Sequence, residues 1–404
     1  GYILSNEKFF EPLTKVVSLL KVRGSYGLVG NDQIGGDRRF IYNETVIGGG
    51  KYYFGTTPSQ YTSVRLGEFP NPNVGWEKAK KLNLGADLSF FNQLNISVDY
   101  FKENREGIFL QRKSIPMYVG LSTKPWVNIG KMRNSGIDAS LEYHQPLGKD
   151  LHLTVRSNFT YARNRIMDQD EPDYAYTYMN HSGQMQWQKF GLVAAGLFQD
   201  QEDIDSWAKQ SFGEVKPGDI KYLDLNGDGI VDNYDTKPIG YSDIPEIVYG
   251  FGFSLQWKAF DLSAFFQGVA HVSFSTLTDQ TQAFVGRNLK ESSVFADLYG
   301  NTWTPENPGA KYPRMTTGAV DNNNQLSTFW MADGRYLRLK NLELGYTLPK
   351  RIANKIAMQN LRVYLSGVNL FTFSPFKLWD PDLQTGATNY PNNRIINLGL
   401  TIGF

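Results

Sequence analysis

The dominant regularity in this chain is a period of two. From Lys81 to Phe90 the even positions are Leu82, Leu84, Ala86, Leu88 and Phe90, and the odd ones are Lys81, Asn83, Gly85, Asp87 and Ser89. The next stretch sets Leu94, Ile96, Val98 and Tyr100 against Asn95, Ser97 and Asp99. The pattern returns at Ile137 to His144, Leu151 to Tyr161, Ile247 to Lys258 and Ile396 to Phe404. Successive side chains of a strand point to opposite faces, so each segment has one apolar and one polar face. The alternation predicts ten strands, at about 17–28, 80–91, 94–104, 136–145, 151–163, 246–257, 260–269, 336–347, 361–370 and 394–404. Between Arg335 and Pro349 the parity slips: Leu337 and Leu339 share one face, Leu342, Leu344 and Tyr346 the other. That predicts a bulge near Lys340–Asn341, and a similar slip is expected between Leu365 and Val368.

A soluble sandwich and a membrane barrel both alternate in this way; only the face that meets water differs. Connection lengths separate them. Asn92–Gln93, Pro146 to Asp150 and Lys258–Ala259 are short links, and Pro349 to Asn360 is moderate. Between them lie long excursions at 29–79, 105–135, 164–245, 270–335 and 371–393. Compact soluble domains rarely hold so many long loops. Outer-membrane barrels have short periplasmic turns and long external loops as a rule. The reading is an all-β fold, a transmembrane antiparallel β-barrel with apolar side chains toward lipid and polar ones toward a wet lumen. Leu84, Leu88, Ile96, Val98, Leu141, Phe253, Leu398 and Ile402 are expected to face lipid. Asn83, Asp87, Asn95, Asp99 and Thr401 are expected to face the lumen. With the short links periplasmic, the last strand descends to Phe404 in the lipid-facing register. An aromatic end of this kind looks like the sorting signal read by the barrel-assembly machinery.

Composition narrows the function classes. Lys+Arg number 41 and Asp+Glu 40, with no basic stripe, so no nucleic-acid partner is read. Cysteine is absent, which excludes disulfide scaffolds, thiolate zinc sites and cysteine nucleophiles. No run of eighteen apolar residues exists to span a bilayer as a helix. His144, His152, His181 and His271 are scattered, with no HExxH pair, and no catalytic constellation is found.

The richest chemistry lies in one acidic loop, Asp224 to Asp235, within the excursion 164–245. Oxygen side chains fall at loop positions 1, 3, 5, 9 and 12: Asp224, Asn226, Asp228, Asp232 and Asp235. Gly229 stands where a calcium loop turns sharply, and Ile230 would offer its carbonyl. The spacing suits a hard cation, Ca²⁺ above all, in a structural role. The flanks do not read as EF-hand helices, and a solvated Asx-rich turn is the plainer alternative. Tyr174 to Trp187 and Phe373 to Asp382 are aromatic-rich loop stretches. They could stack on sugar rings or grip a partner; mutual packing of the loops is the favoured reading.

Several stretches resemble the SusC/RagA family of TonB-linked outer-membrane transporters. These are LKVRGSYGLVGND (Leu20 to Asp32), FPNPNVGWEKAKKLNLGADLSFFN (Phe69 to Asn92), GDIKYLDLNGDGIVDNYDTKPIG (Gly218 to Gly240), and RYLRLKNLELGYTLP (Arg335 to Pro349) followed by VYLSGVNLFTF. They recur in the family's order over nearly the whole chain. The resemblance implies a barrel of 22 strands around an N-terminal plug. It also implies import of oligosaccharides or peptides energised by TonB, with a SusD-type surface lipoprotein as lid. About ten strands are read here. No plug or TonB box is read, and GYILSNEKFF has no signal-peptide character. Residues 1–404 are therefore expected to be the C-terminal portion of such a barrel, reaching TonB through the missing N-terminal part. The alternative is a calcium-stabilised extracellular β-rich adhesin or glycan-binding module.

Overall fold

The computed structural model describes residues 1–33, 38, 40–57, 59–121, 123–278, 281–282, 295–356, 358–386 and 389–403. Ten long strands follow one another as antiparallel neighbours in a single sheet, with the short segment Tyr2–Ile3 along its first edge. The first five are β1 (Val17–Asn31), β2 (Glu77–Phe90), β3 (Leu94–Gln111), β4 (Trp126–Pro146) and β5 (Leu151–Asp168). The rest are β6 (Ile247–Trp257), β7 (Phe260–Ala270), β8 (Tyr336–Thr347), β9 (Asn360–Phe373) and β10 (Ile395–Gly403). Because neighbours in the sheet are neighbours in the chain, short links gather at one rim and long excursions at the other.

The strands lie where the alternation places them, but several run further toward the long-loop rim. β3 continues to Gln111 and β4 starts at Trp126. The reason is visible in the residues beyond Tyr100: Lys102, Glu103, Asn104, Arg105 and Glu106 are polar on both faces, so the period of two vanishes. Pairing persists there through the backbone ladder and cross-strand ion pairs, Lys80–Glu106 at 3.0 Å and Arg105–Glu77 at 2.9 Å. The first excursion also holds a hairpin, Val46–Phe54 with Ser59–Leu66.

Register puts every expected lipid-facing residue on one face. Leu88, Ile96 and Leu141 form one rung, and Leu255, Leu262, Leu344, Leu365 and Leu398 another. This face is apolar and open: Leu398 is 78% and Leu84 51% exposed. The opposite face carries Asn83, Asp87, Asn95, Asp99 and Thr401. A long exposed apolar face of this kind suits a lipid environment, where the strand ladder satisfies the backbone and the side chains need no water.

The bulge expected at Lys340–Asn341 is present: pairing of β8 with β7 and with β9 shifts there, which lets Leu337 and Leu344 share a face despite opposite parity. The expected slip between Leu365 and Val368 is corrected. Those residues pair without a break with both neighbours, and the shift falls at Asn369–Leu370, where Asn369 has a φ of +53°. Val368 lies opposite Asn341 on the polar face, so its apolar side chain imitated a change of register.

The only large dry cluster among the described residues lies outside the sheet, in the long loops. Leu192, Leu197, Ile220, Tyr222, Val231, Leu298, Trp303, Tyr312 and Trp330 pack together, drawn from the excursions after β5 and after β7.

Candidate functional site

Two regions carry chemistry: the polar face of the sheet and the cap formed by the long loops. On the polar face, Arg23 donates to both oxygens of Asp87 at 3.1 and 3.2 Å, to Asp99 at 2.5 Å and to Ser97 at 3.0 Å. Near the other end of the sheet, Arg362 joins Asp261 and Glu343 across three strands. Such charge-assisted ladders fix strand register where no apolar core does it. They line a surface that is wet and charged of both signs.

The cap is held by residues far apart in the chain. Asp219 is fully buried and accepts from Arg314 at 2.8 and 3.2 Å, from the Asn323 amide side chain at 2.8 Å and from the Lys216 backbone. Asn322 and Asn323 bond the carbonyl and amide of Ile220, and the Tyr222 hydroxyl donates to the Asn322 carbonyl. Burial pushes the Tyr222 phenol well above its ordinary pKa. Gly218 precedes this hub at a φ of +89°, and a Cβ there would strike the Trp303 ring. At the loop bases, Arg112 and Ser114 fasten Asp170. Burial alone would raise that carboxyl, but the guanidinium and the Ser114 and Lys113 bonds hold it below the usual range.

Two recesses open in the cap and share Phe376 and Lys377. One, of about 520 Å³, lies among Phe295, Asp297, Lys311, Tyr312 and Trp330. The other, of about 410 Å³, lies against Arg338, Asn369, Trp379, Asp380 and Arg394. Arg338 is almost fully buried on the polar face and clamps Asp380 and Asp382, so the loop after β9 is tied down to the sheet. Aromatic faces beside paired charges can stack on sugar rings or hold peptide side chains.

The acidic loop is ordered by its own side chains. Asp224 accepts from the amides of Gly227 and Gly229, Asn226 from that of Asp228, and Asp228 from that of Ile230. Asp232 caps Tyr234, and the buried Asp235 accepts from Leu225, Asn226 and Asp232. Gly227 and Gly229 take φ values of +78° and +84°, as the tight turns require. Among the described residues, no three His, Cys, Asp or Glu side chains converge on one point. Phe404 lies outside the described residues.

Of the aromatic stretches, Tyr176 stacks on Tyr178 and meets Tyr234 edge-on, while Phe376 and Trp379 pack against Phe274. Trp187 stays exposed. The Asp219 hub was not read from the sequence. Its partners lie 95 and 104 residues away, and no local pattern marks them.

Comparison with known proteins agrees with this architecture. The family model "TonB dependent receptor-like, beta-barrel" matches residues 20–370. TonB-dependent receptor P3 of Formosa agariphila is 29% identical over 99% of this chain and 41% of its own length. TonB-dependent receptor SusC of Bacteroides thetaiotaomicron is 25% identical over 100% of this chain and 39% of its own. The RagAB peptide importer in its open-open state superposes with a TM-score of 0.74 at 22% identity, covering all of this chain and 42% of that one. The chain thus spans about two-fifths of the length of the relatives it matches. It belongs to the TonB-dependent receptor-like β-barrel family of outer-membrane proteins, and within that family it is similar to SusC.

Proposed function

We propose that the protein containing this chain imports oligosaccharides or peptides across the outer membrane, driven by TonB and covered by a SusD-type surface lipoprotein. The observation that carries this reading is the pairing of a charged, wet inner face with a folded loop cap at one rim. A polar face turned away from lipid, under a folded cap with recesses that open in it, is what an aqueous conduit needs. On this reading the long loops, 164–245 included, are extracellular and form the surface that a lid would meet. The recesses around Trp330 and Phe376 are where substrate first rests. The test is uptake by cells expressing the full-length protein with its companion lipoprotein. Labelled oligosaccharides and peptides should accumulate only with TonB present, and Lys377→Ala, at an exposed residue that both recesses share, should lower uptake without lowering the amount of folded barrel. TonB-independent entry, or none of either substrate class, would contradict the proposal.

Calcium at the acidic loop belongs to the same proposal, in a structural role. Its support is the spacing of Asp224, Asn226, Asp228, Asp232 and Asp235, and the two glycine turns already formed. Carboxylate oxygens that accept one amide keep a second lone pair for a cation. Calorimetry with millimolar Ca²⁺ should show binding that Asp224→Ala with Asp228→Ala abolishes. An absence of heat with the unaltered protein would reduce the loop to a set of Asx turns.

A further inference from the structure

The lipid-facing side of the sheet does not end at its apolar band. Tyr100, Ile137 and Tyr161 form the last rung of that band on β3, β4 and β5. One rung higher come Lys102, Ser135 and Arg163, then Asn104, Arg133 and Arg165, all on the same outward face. Lys80 and Lys131 stand beside them. A groove of about 280 Å³ runs between the tyrosines and the arginines.

The charges here are not balanced. Lys80 is paired with Glu106, Lys131 with Asp168 and Arg163 with Glu246. Lys102, Arg133 and Arg165 make no ion pair among the described residues; Arg133 donates to the Asn104 side chain and Arg165 to the Gly183 carbonyl. Cations facing the lumen would need no further account, since the inner face is wet. These face outward, directly above side chains that meet acyl chains, where the adjoining medium is the headgroup layer. From Leu94 to Tyr100 the band extends about 20 Å along β3 at roughly 3.3 Å per residue. Tyrosines at that boundary mark the interface, as aromatic girdles do in outer-membrane barrels.

We propose that this face of β3, β4 and β5 binds the phosphate groups of an anionic lipid headgroup, with the acyl chains lying on the apolar band below. The occupant is a lipid and not a free phosphate, because the cations and the apolar rungs are continuous on one face and a two-part ligand matches both. Guanidinium groups hold phosphate oxygens by paired, charge-assisted bonds, which suits Arg133 and Arg165. The placement in the outer leaflet rests on the long loops being extracellular; the binding itself does not, so the test is made without leaflet asymmetry or transport.

Full-length protein in detergent micelles is titrated with diphosphoryl lipid A and with the same lipid after removal of its phosphates, and bound lipid is read by native mass spectrometry. The phosphorylated form should bind about tenfold tighter or more, a preference that shrinks as salt rises. Arg133→Gln with Arg165→Gln should remove most of that preference, with folding checked by heat-modifiable mobility on a gel. If that variant does not fold, the two lipids compared on the unaltered protein decide. Equal binding of both lipids, an unchanged preference in the folded variant, or full competition by millimolar inorganic phosphate would overturn the proposal.

Discussion

Asp219 shows how single side chains hold this molecule together above the sheet. Its carboxylate is fully buried and takes bonds from Arg314, Asn323 and the Lys216 amide. Asp219→Ala leaves the Arg314 guanidinium without its partner and should cost the cap about 3–5 kcal/mol. Limited proteolysis should then cut between residues 210 and 235 while the strands stay protected; unchanged resistance would show that the apolar cluster holds the cap unaided. Asp297 supplies a pH test. The Lys311 ammonium, the Tyr312 hydroxyl and a smaller Coulomb pull from Lys311 hold its carboxyl below the ordinary range, against a weaker push from burial. A depressed folded pKa means the contribution is complete above the ordinary carboxylate value, about 4, and fades as pH falls through the lower folded value. Amide protection factors at residues 296–312, the exchange rates divided into the intrinsic rate at each pH, should therefore hold above pH of about 4 and fall below it. Protection that falls instead between pH 5 and 7 would mean another group governs this loop.

At the scale of elements, the bulge at Lys340 and the outward rungs are the features on which the sheet depends. Deleting Lys340 would close the ladder between β7 and β8 with Leu337 and Leu339 still on the lipid face, but would leave Asn369 and Leu370 of β9 with no residue opposite them. Assembly into a heat-modifiable barrel should fail, whereas Lys340→Ala should assemble normally. Leu398→Lys places a charge on the lipid side and should cost about 2–4 kcal/mol if it lies near the midplane. Refolding equilibria in lipid vesicles would measure it, and a change below a few tenths would mean that Leu398 does not meet lipid. These strands were legible in the sequence because one face meets lipid throughout, so the period of two is enforced residue by residue. The bulge was legible for the same reason, as a break in that period. The upper parts of β3 and β4 were not, since both faces are polar beyond Tyr100. The hairpin at 46–66 escaped because Gly48, Gly49 and Gly50 blur its alternation, although the Gly55 turn between aromatic flanks was a usable signal. The acidic loop was legible as a turn from its Asx spacing. The Asp219 hub and the Arg338 clamp join distant segments, and only the folded chain shows them.

For the whole molecule, everything else follows from one orientation: a single face of this sheet meets lipid and the other a wet interior. The loop cap, the charged networks at Arg23 and Arg362, and the cationic rim beyond Tyr100 all take their meaning from that orientation. These residues contain no cysteine, so a single cysteine introduced among them is unique once any elsewhere in the full-length protein are replaced by serine. The direct measurement is a scan of β10 in the full-length protein in lipid vesicles, with one environment-sensitive probe at each of positions 396 to 402. Brominated acyl chains should quench probes at Ile396, Leu398, Leu400 and Ile402. A water-soluble quencher should instead reach Asn397, Gly399 and Thr401. Quenching by lipid should therefore alternate along the strand with a period of two in this phase. Alternation in the opposite phase, or lipid quenching at none of the seven positions, would contradict it.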